Sequence, residues 1–162
     1  MLIGNFLKNI KKEFKNHQFA GLSFNSEDCK KDYIFFAIKG TKSDGSKFID
    51  HAIKKGATVI ISEQKFEGIK NKVLFLKSKN VRKALSELSY NIKKNIPKNL
   101  IAITGTNGKS SIADFYFQLL NLSNKKVASI GTLGVKTKNN LKKVSNTTLD
   151  PIKLSKILNN LK

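Results

Sequence analysis

Apolar residues along the chain fall into two patterns, short continuous runs and repeats of three to four residues, and from about residue 30 the two alternate. Tyr33 to Ile38, Thr58 to Ile61 and Val73 to Leu76 are compact apolar runs, the pattern of strands covered on both faces. Between and after them come helical repeats. Lys47 to Lys55 places Phe48, Ile49, Ala52 and Ile53 on one face and stops at Gly56, a residue suited to a left-handed helix terminus. From Asn80, Val81, Leu85, Leu88 and Ile92 form a longer stripe that ends before Pro97, because proline disfavours helix in the residue preceding it. Nearer the start, Leu2, Ile3, Phe6, Leu7, Ile10 and Phe14 predict a helix over Leu2 to Phe14, with one face buried or laid on a membrane surface. A short stretch from Phe19 to Phe24 follows and ends in the polar turn Asn25 to Asp28.

The pattern resumes after a polar boundary at Lys93 to Asn99, which divides the chain into an expected domain over 1–97 and a second over 98–162. Leu100 to Thr104 and Lys126 to Ile130 predict two strands, parallel if the crossover between them takes its usual right-handed form. The helix between them carries Ile112, Phe115, Tyr116, Leu119 and Leu120, and Gly131 to Gly134 forms a loop at the second strand's carboxyl end. An edge strand is expected near Leu141 to Ser145. Asp150 and Pro151 supply an N-cap and a first helical residue for a closing helix that bears Ile152, Ile157, Leu158 and Leu161. The fold class is therefore α/β, with strands and helices in layers. This second segment is smaller than mononucleotide-binding sheets usually are, and it offers no apolar strand ending in an acid; the expectation is a truncated front part of a larger parallel-sheet domain.

One stretch adds chemistry to this pattern. Ile101 to Thr104 runs directly into Gly105, Gly108, Lys109 and Ser110, and a helix follows. Glycines let backbone N–H groups converge on phosphate oxygens, the helix start adds positive potential, Lys109 adds a charge and Ser110 a hydroxyl for Mg²⁺. The usual phosphate-loop pattern has a further glycine five residues before Gly108, where this chain has Ile103, so the loop is a shortened variant.

Composition narrows the partners. The 162 residues hold 31 Lys and Arg against 11 acids, a formal charge of +20 that on its face suggests nucleic acid or an anionic membrane. Arg82 is the single arginine, however, and the lysines are spread over every predicted element, whereas readers of bases and phosphates use arginine forks as well. A diffuse solvated surface with no nucleic-acid role fits better. Cys29 is alone, which excludes an internal disulfide, fits a reducing compartment and suggests a partly buried small residue; only His17 and His51 could activate it. With no leader-like apolar segment and no run near the roughly 20 residues needed to span a bilayer, a cytoplasmic protein is expected.

Thr104-Gly105-Thr106-Asn107-Gly108-Lys109-Ser110 resembles the ATP loop of the Mur ligases, ATP-dependent amide-forming enzymes of peptidoglycan precursor synthesis, which share the missing early glycine. The first segment is similar to their UDP-binding amino-terminal domain in Asn25-Ser26, Tyr33 to Gly40, Ser43-Asp44-Gly45, Phe48-Ile49, Ala52-Ile53 and Gly56-Ala57. Ser129-Ile130-Gly131-Thr132 followed by Asn146-Thr147-Thr148 looks most like the members that add the third amino acid. The resemblance implies that Gly105, Thr106, Asn107, Gly108, Lys109, Ser110 and Ser111 bind ATP, with Lys109 on the phosphates and Ser110 near Mg²⁺. It implies that Ser26, with Phe24 beside it, contacts the uridine part of the substrate, that Thr41, Lys42 and Ser43 complete that pocket, and that Asn146, Thr147 and Thr148 hold the muramoyl-dipeptide. Asn25 and Glu27 stand where the family has aspartate and arginine, and Leu149 where many relatives have proline. Read from spacing alone, Ser26 could equally cap a turn, and Thr147 and Thr148 could simply lead into a capped helix. The implied partners are UDP-MurNAc-dipeptide and a diamino acid, in an enzyme that is monomeric at full length. The partial chain is expected to be inactive by itself. A non-catalytic nucleotide or UDP-sugar binding module and a basic nucleic-acid-binding protein are the alternatives.

Overall fold

The computed structural model describes residues 1–7, 10–41, 43–93, 95–143 and 149–161. It divides into two compact units, Met1–Lys94 and Asn95–Lys162.

The first unit is built on a five-stranded sheet of β1 (Gly21–Ser23), β2 (Tyr33–Phe36), β3 (Ala57–Ser62), β4 (Gly68–Lys70) and β5 (Val73–Lys77) in the order β1-β2-β3-β5-β4. The pairs β1·β2, β2·β3 and β3·β5 are parallel, and β4 adds an antiparallel edge against β5. Successive side chains of a strand point to opposite faces, so an apolar run has to be covered twice. One face gathers Phe35, Ala37, Ile60 and Val73 with Cys29 and with Ile49 and Ala52 of α1 (Ile49–Lys54). The alternate residues Ile34, Phe36, Val59, Ile61, Leu74 and Leu76 are equally buried, and α2 (Val81–Asn91) packs against β2 with Val81, Leu85 and Leu88 buried. Asn80 caps α2 by accepting from the Lys83 N–H at 2.9 Å. Gly56 ends α1 at φ +106°, its N–H bonded to Ile53 O and its own carbonyl accepting from the Asp32 N–H. A Cβ there would also meet Lys31 Cα at 2.8 Å, so both the dihedral and the space call for glycine.

One expectation is corrected here, and one strand is added. Leu2 to Phe14 is not one helix: single 3₁₀ turns at Ile3–Asn5 and Lys12–Phe14 replace it. The N–H groups of Ile3, Gly4 and Phe19 bond to the carbonyls of His17, Lys15 and Met1, so the backbone is spent on pairing across the segment, and Ile3 and Phe14 turn inward. The short edge strand β4 has no counterpart in the sequence reading, because three residues with one apolar side chain carry no period.

The second unit holds α3 (Lys109–Leu122), an antiparallel sheet β6 (Ser129–Gly131), β7 (Gly134–Thr137) and β8 (Asn140–Lys142), and α4 (Pro151–Asn160). Both helices start where the sequence indicated, and Asp150 caps α4 through the Lys153 N–H at 2.9 Å. The strands differ from expectation. Residues 101–104 join no ladder among the described residues, and β6 is antiparallel to β7 rather than parallel to an earlier strand. Gly131 pairs with Gly134, leaving Thr132 and Leu133 as a two-residue turn that Gly134, at φ +109°, closes; the chain reverses at once and its nearest partner is its own continuation. The expected edge strand survives as β8, with residues 144 and 145 outside the described residues. No described helix is long and apolar enough to cross a membrane.

Truncating the central core at Ile60, which is fully buried on β3, should lower the stability of the first unit by about 2–5 kcal/mol. Urea unfolding of Ile60→Ala followed by far-UV circular dichroism measures this, and an unchanged midpoint would contradict the described core.

Candidate functional site

In the second unit the candidate site is a loop and a helix start. Gly105, at φ +140°, and Gly108, at φ +76°, both occupy backbone regions that side chains disfavour, and α3 begins directly after Gly108. The Ile112 N–H bonds back to Gly108 O, so the N–H groups of Lys109, Ser110 and Ser111 precede the first intrahelical bond. Gly108 as N-cap offers no side-chain acceptor to them, and nothing lies within 4 Å of where its Cβ would be. Lys109 Nζ curls over the loop and donates to the carbonyls of Thr106, at 3.0 Å, and of Gly105. The outcome is an exposed group of amides and an ammonium with free approach from solvent, which fits a phosphate.

A metal ion is less completely served. Ser110 contributes a hydroxyl to a small cavity of about 30 Å³, lined also by Asp114, Ser129, Thr132 and Lys136. Asp114 lies one turn beyond Ser110, but its Oδ1 accepts from Lys136 Nζ at 2.7 Å and its Oδ2 from Gln118 Nε2. These hydrogen bonds, with Lys136 the largest cause, hold the Asp114 carboxyl below the usual carboxylate range. Lys136 is fixed in turn over the Phe117 ring, 4.7 Å from its centroid. No group of three or more acidic, His or Cys side chains occurs among the described residues, and Asp114, the one carboxylate lining this cavity, is already paired with Lys136 and Gln118.

In the first unit the implied residues collect at one edge of the sheet. β1 and β2 are parallel neighbours with Ser23 opposite Phe35, so the segments that follow them leave by the same carboxyl edge. After β1 come the exposed Phe24 and a 3₁₀ turn at Ser26–Asp28, capped by Asn25, whose side chain accepts from the Glu27 N–H at 3.2 Å. Ser26 is therefore not the turn's cap. It is buried, and its Oγ lies 3.0 Å from Nδ1 of His51 on α1. After β2, Thr41 and Ser43 are exposed in a turn closed by the Gly40 N–H on Ser43 O, and Lys42 lies outside the described residues. Asp44 caps the next turn through the Ser46 N–H at 2.9 Å, and that bond holds its carboxyl low. Asn146, Thr147 and Thr148 also lie outside the described residues.

Three features went unread in the sequence. His51 pairs with Ser26 rather than with Cys29, whose thiol burial pushes above its ordinary value. Glu27 lies 3.5 Å from Lys55 and 3.9 Å from His51. A cavity of about 210 Å³ opens at the carboxyl ends of β2 and β3 between Lys39, Asp44 and Ser46 on one side and Ser62, Glu63 and Gln64 on the other. Its signal was available: polar residues directly after parallel apolar strands mark the edge where ligands of such sheets bind.

Comparison with known proteins finds matches to both segments of the chain. The family described as "Mur ligase family, catalytic domain" matches residues 18–97, and "Mur ligase middle domain" matches residues 103–162. The chain is 43% identical over 157 residues to the UDP-N-acetylmuramoyl-L-alanyl-D-glutamate–2,6-diaminopimelate ligase of Rickettsia montanensis, covering 94% of this chain and 32% of that enzyme. It is 34% identical to the second ligase of that name from Clostridium acetobutylicum, covering 88% of this chain and 31% of the relative. A solved structure of a UDP-N-acetylmuramoyl-L-alanyl-D-glutamate–2,6-diaminopimelate ligase superposes with a TM-score of 0.78 at 25% identity, over 99% of this chain and 33% of that one. MurF ligase from Thermotoga maritima in complex with ADP gives a TM-score of 0.50 at 28% identity, over 65% and 23% of the two chains. The chain thus spans about a third of the length of the relatives it matches.

Because the folded pKa of Asp114 is depressed, its bond to Lys136 contributes above the ordinary carboxylate pKa and is lost as pH falls through the lowered value. Carbon-detected NMR titration should find Asp114 below the usual range, and Lys136→Met should raise it; a titration unchanged by Lys136→Met would remove the pair.

Proposed function

The chain belongs to the Mur ligase family, and from that membership we propose that it carries the UDP-sugar domain, 1–97, and the first part of the central ATP-binding domain, 98–162, of a cytoplasmic, monomeric ligase. The ligase adds the third amino acid to UDP-MurNAc-L-Ala-D-Glu. The observation that carries this reading is the start of α3, where Gly105 to Ser111 present amides, the Lys109 ammonium and the Ser110 hydroxyl to solvent in a loop shaped for phosphate. The names of the relatives supply the substrate class.

The loop amides of Gly105 to Ser111 would hold the phosphates of ATP, Lys109 would turn from the loop carbonyls onto them, and Ser110 would face Mg²⁺. When bound, ATP would supply the phosphoryl group that activates the D-glutamyl side-chain carboxylate, with ADP leaving; the amine of a diamino acid would then attack the activated carbonyl carbon and displace phosphate to give the amide. Lys109 stabilises charge on the transferring group and is the residue to which catalysis is assigned here. Phe24, Ser26, Thr41, Lys42 and Ser43 receive the uridine end of the substrate, and Asn146, Thr147 and Thr148 its dipeptide. With about a third of its relatives' length, this chain alone is expected to bind weakly and not to turn over. Use as a non-catalytic binding module and binding to nucleic acid fit less well, because the charge is dispersed and family membership accounts for both units.

Isothermal titration of ATP-Mg²⁺ tests the reading. Lys109→Ala should weaken ATP roughly tenfold or more, as expected for charge-assisted hydrogen bonds worth about 1.5–3 kcal/mol, and leave UDP binding unaltered. Equal ATP affinity in the variant and the parent chain would refute it.

A further inference from the structure

The substrate-side residues contain a pairing that the family reading does not use. Ser26 Oγ and His51 Nδ1 are 3.0 Å apart, joining the turn after β1 to α1. The other ring nitrogen, Nε2, faces the Glu27 carboxylate at 3.9 Å, and the second oxygen of Glu27 lies 3.5 Å from Lys55 Nζ. A carboxylate beside Nε2 favours the proton on that nitrogen, which leaves Nδ1 as an acceptor. Ser26 then donates its one hydroxyl proton to Nδ1, and the lone pairs left on Oγ can only accept. A serine free to rotate could donate or accept; one tied to His51 cannot choose.

We propose that His51 is a positioning residue for the uridine site, holding Ser26 Oγ as an obligate acceptor that selects a base edge bearing an N–H donor, such as the imide of uracil. The inference rests on the substrate-site reading above and deepens it. It also gives Glu27 a role: the carboxylate that stands where the family has arginine sets the His51 tautomer and is held in place by Lys55.

The test combines long-range ¹H–¹⁵N correlation spectra of His51 with UDP binding to the 162-residue chain and its variants. The spectra should show the Nε2–H tautomer, and Ser26→Ala should shift Nδ1. UDP should bind roughly five- to tenfold more weakly to Ser26→Ala and to His51→Gln, whose amide reaches past the Nδ1 position. His51→Asn, which places a side-chain oxygen near Nδ1, should restore binding to within about twofold, since that one hydrogen bond is kept. UDP methylated at N3 should bind the parent chain poorly and lose the distinction between parent and Ser26→Ala. An Nδ1–H tautomer, or His51→Gln binding as tightly as the parent while Ser26→Ala does not, would overturn the role of His51 and leave the site reading standing. Absence of UDP binding to the parent chain would overturn both.

Discussion

Parallel pairing of β1, β2, β3 and β5 is the constraint on which the first unit depends. Parallel neighbours cannot be joined by tight turns, so each connection has to cross a face of the sheet, and the crossing segments supply the cover that apolar strands need. Ile34, Phe35, Phe36, Val59, Ile60 and Leu74 are buried for that reason. The same rule sends every segment that follows a strand out of one edge. The turn after β1, the loop after β2 and Ser62 to Gln64 at the end of β3 therefore lie along a common carboxyl rim, although they are far apart in the sequence. Phe24, Ser26, Thr41 and Ser43 follow neighbouring parallel strands, so strand direction rather than any local attraction brings them to the same edge.

The second unit turns on a different constraint, the unpaired amides at the start of a helix. α3 begins with glycine as N-cap and no acid in its first turn, so its positive end is left for an external anion. Lys109 donates to the carbonyls of Gly105 and Thr106, and Lys136 to the Asp114 carboxylate. α3 also carries more apolar surface than its own unit covers: Phe117 is buried, whereas Ile112, Phe115, Leu119 and Leu122 are exposed. That excess suits a helix belonging to a larger layered domain, and the relatives are about three times as long as this chain.

Surface ion pairs add little to the stability of either unit. The ion pairs described are mostly between exposed groups, Lys83 with Glu87 or Lys55 with Glu27, where solvent screens them and each contributes little. Glu27 matters for its direction, towards His51, more than for any stability it adds. The +20 total comes from lysines spread over the whole chain, with Arg82 the single arginine.

What the sequence determined by itself is what neighbouring residues settle between them. Runs such as Tyr33 to Phe36 and Val73 to Leu76 form buried strands, Asn80 and Asp150 begin helices, Gly56 ends one, and Gly105 to Gly108 form a loop that leads into α3, because each follows from dihedral preference, period and capping within a few residues. Tertiary structure decided where backbone groups find partners far along the chain. Leu2 to Phe14 had a helical period and yet gave its N–H groups to Lys15 and His17; β6 took β7 as its partner; and Ser26, which spacing alone left as a possible cap, met His51 25 positions later. Periodicity reports which side of an element is buried, and it holds no information on which distant group will satisfy a hydrogen bond.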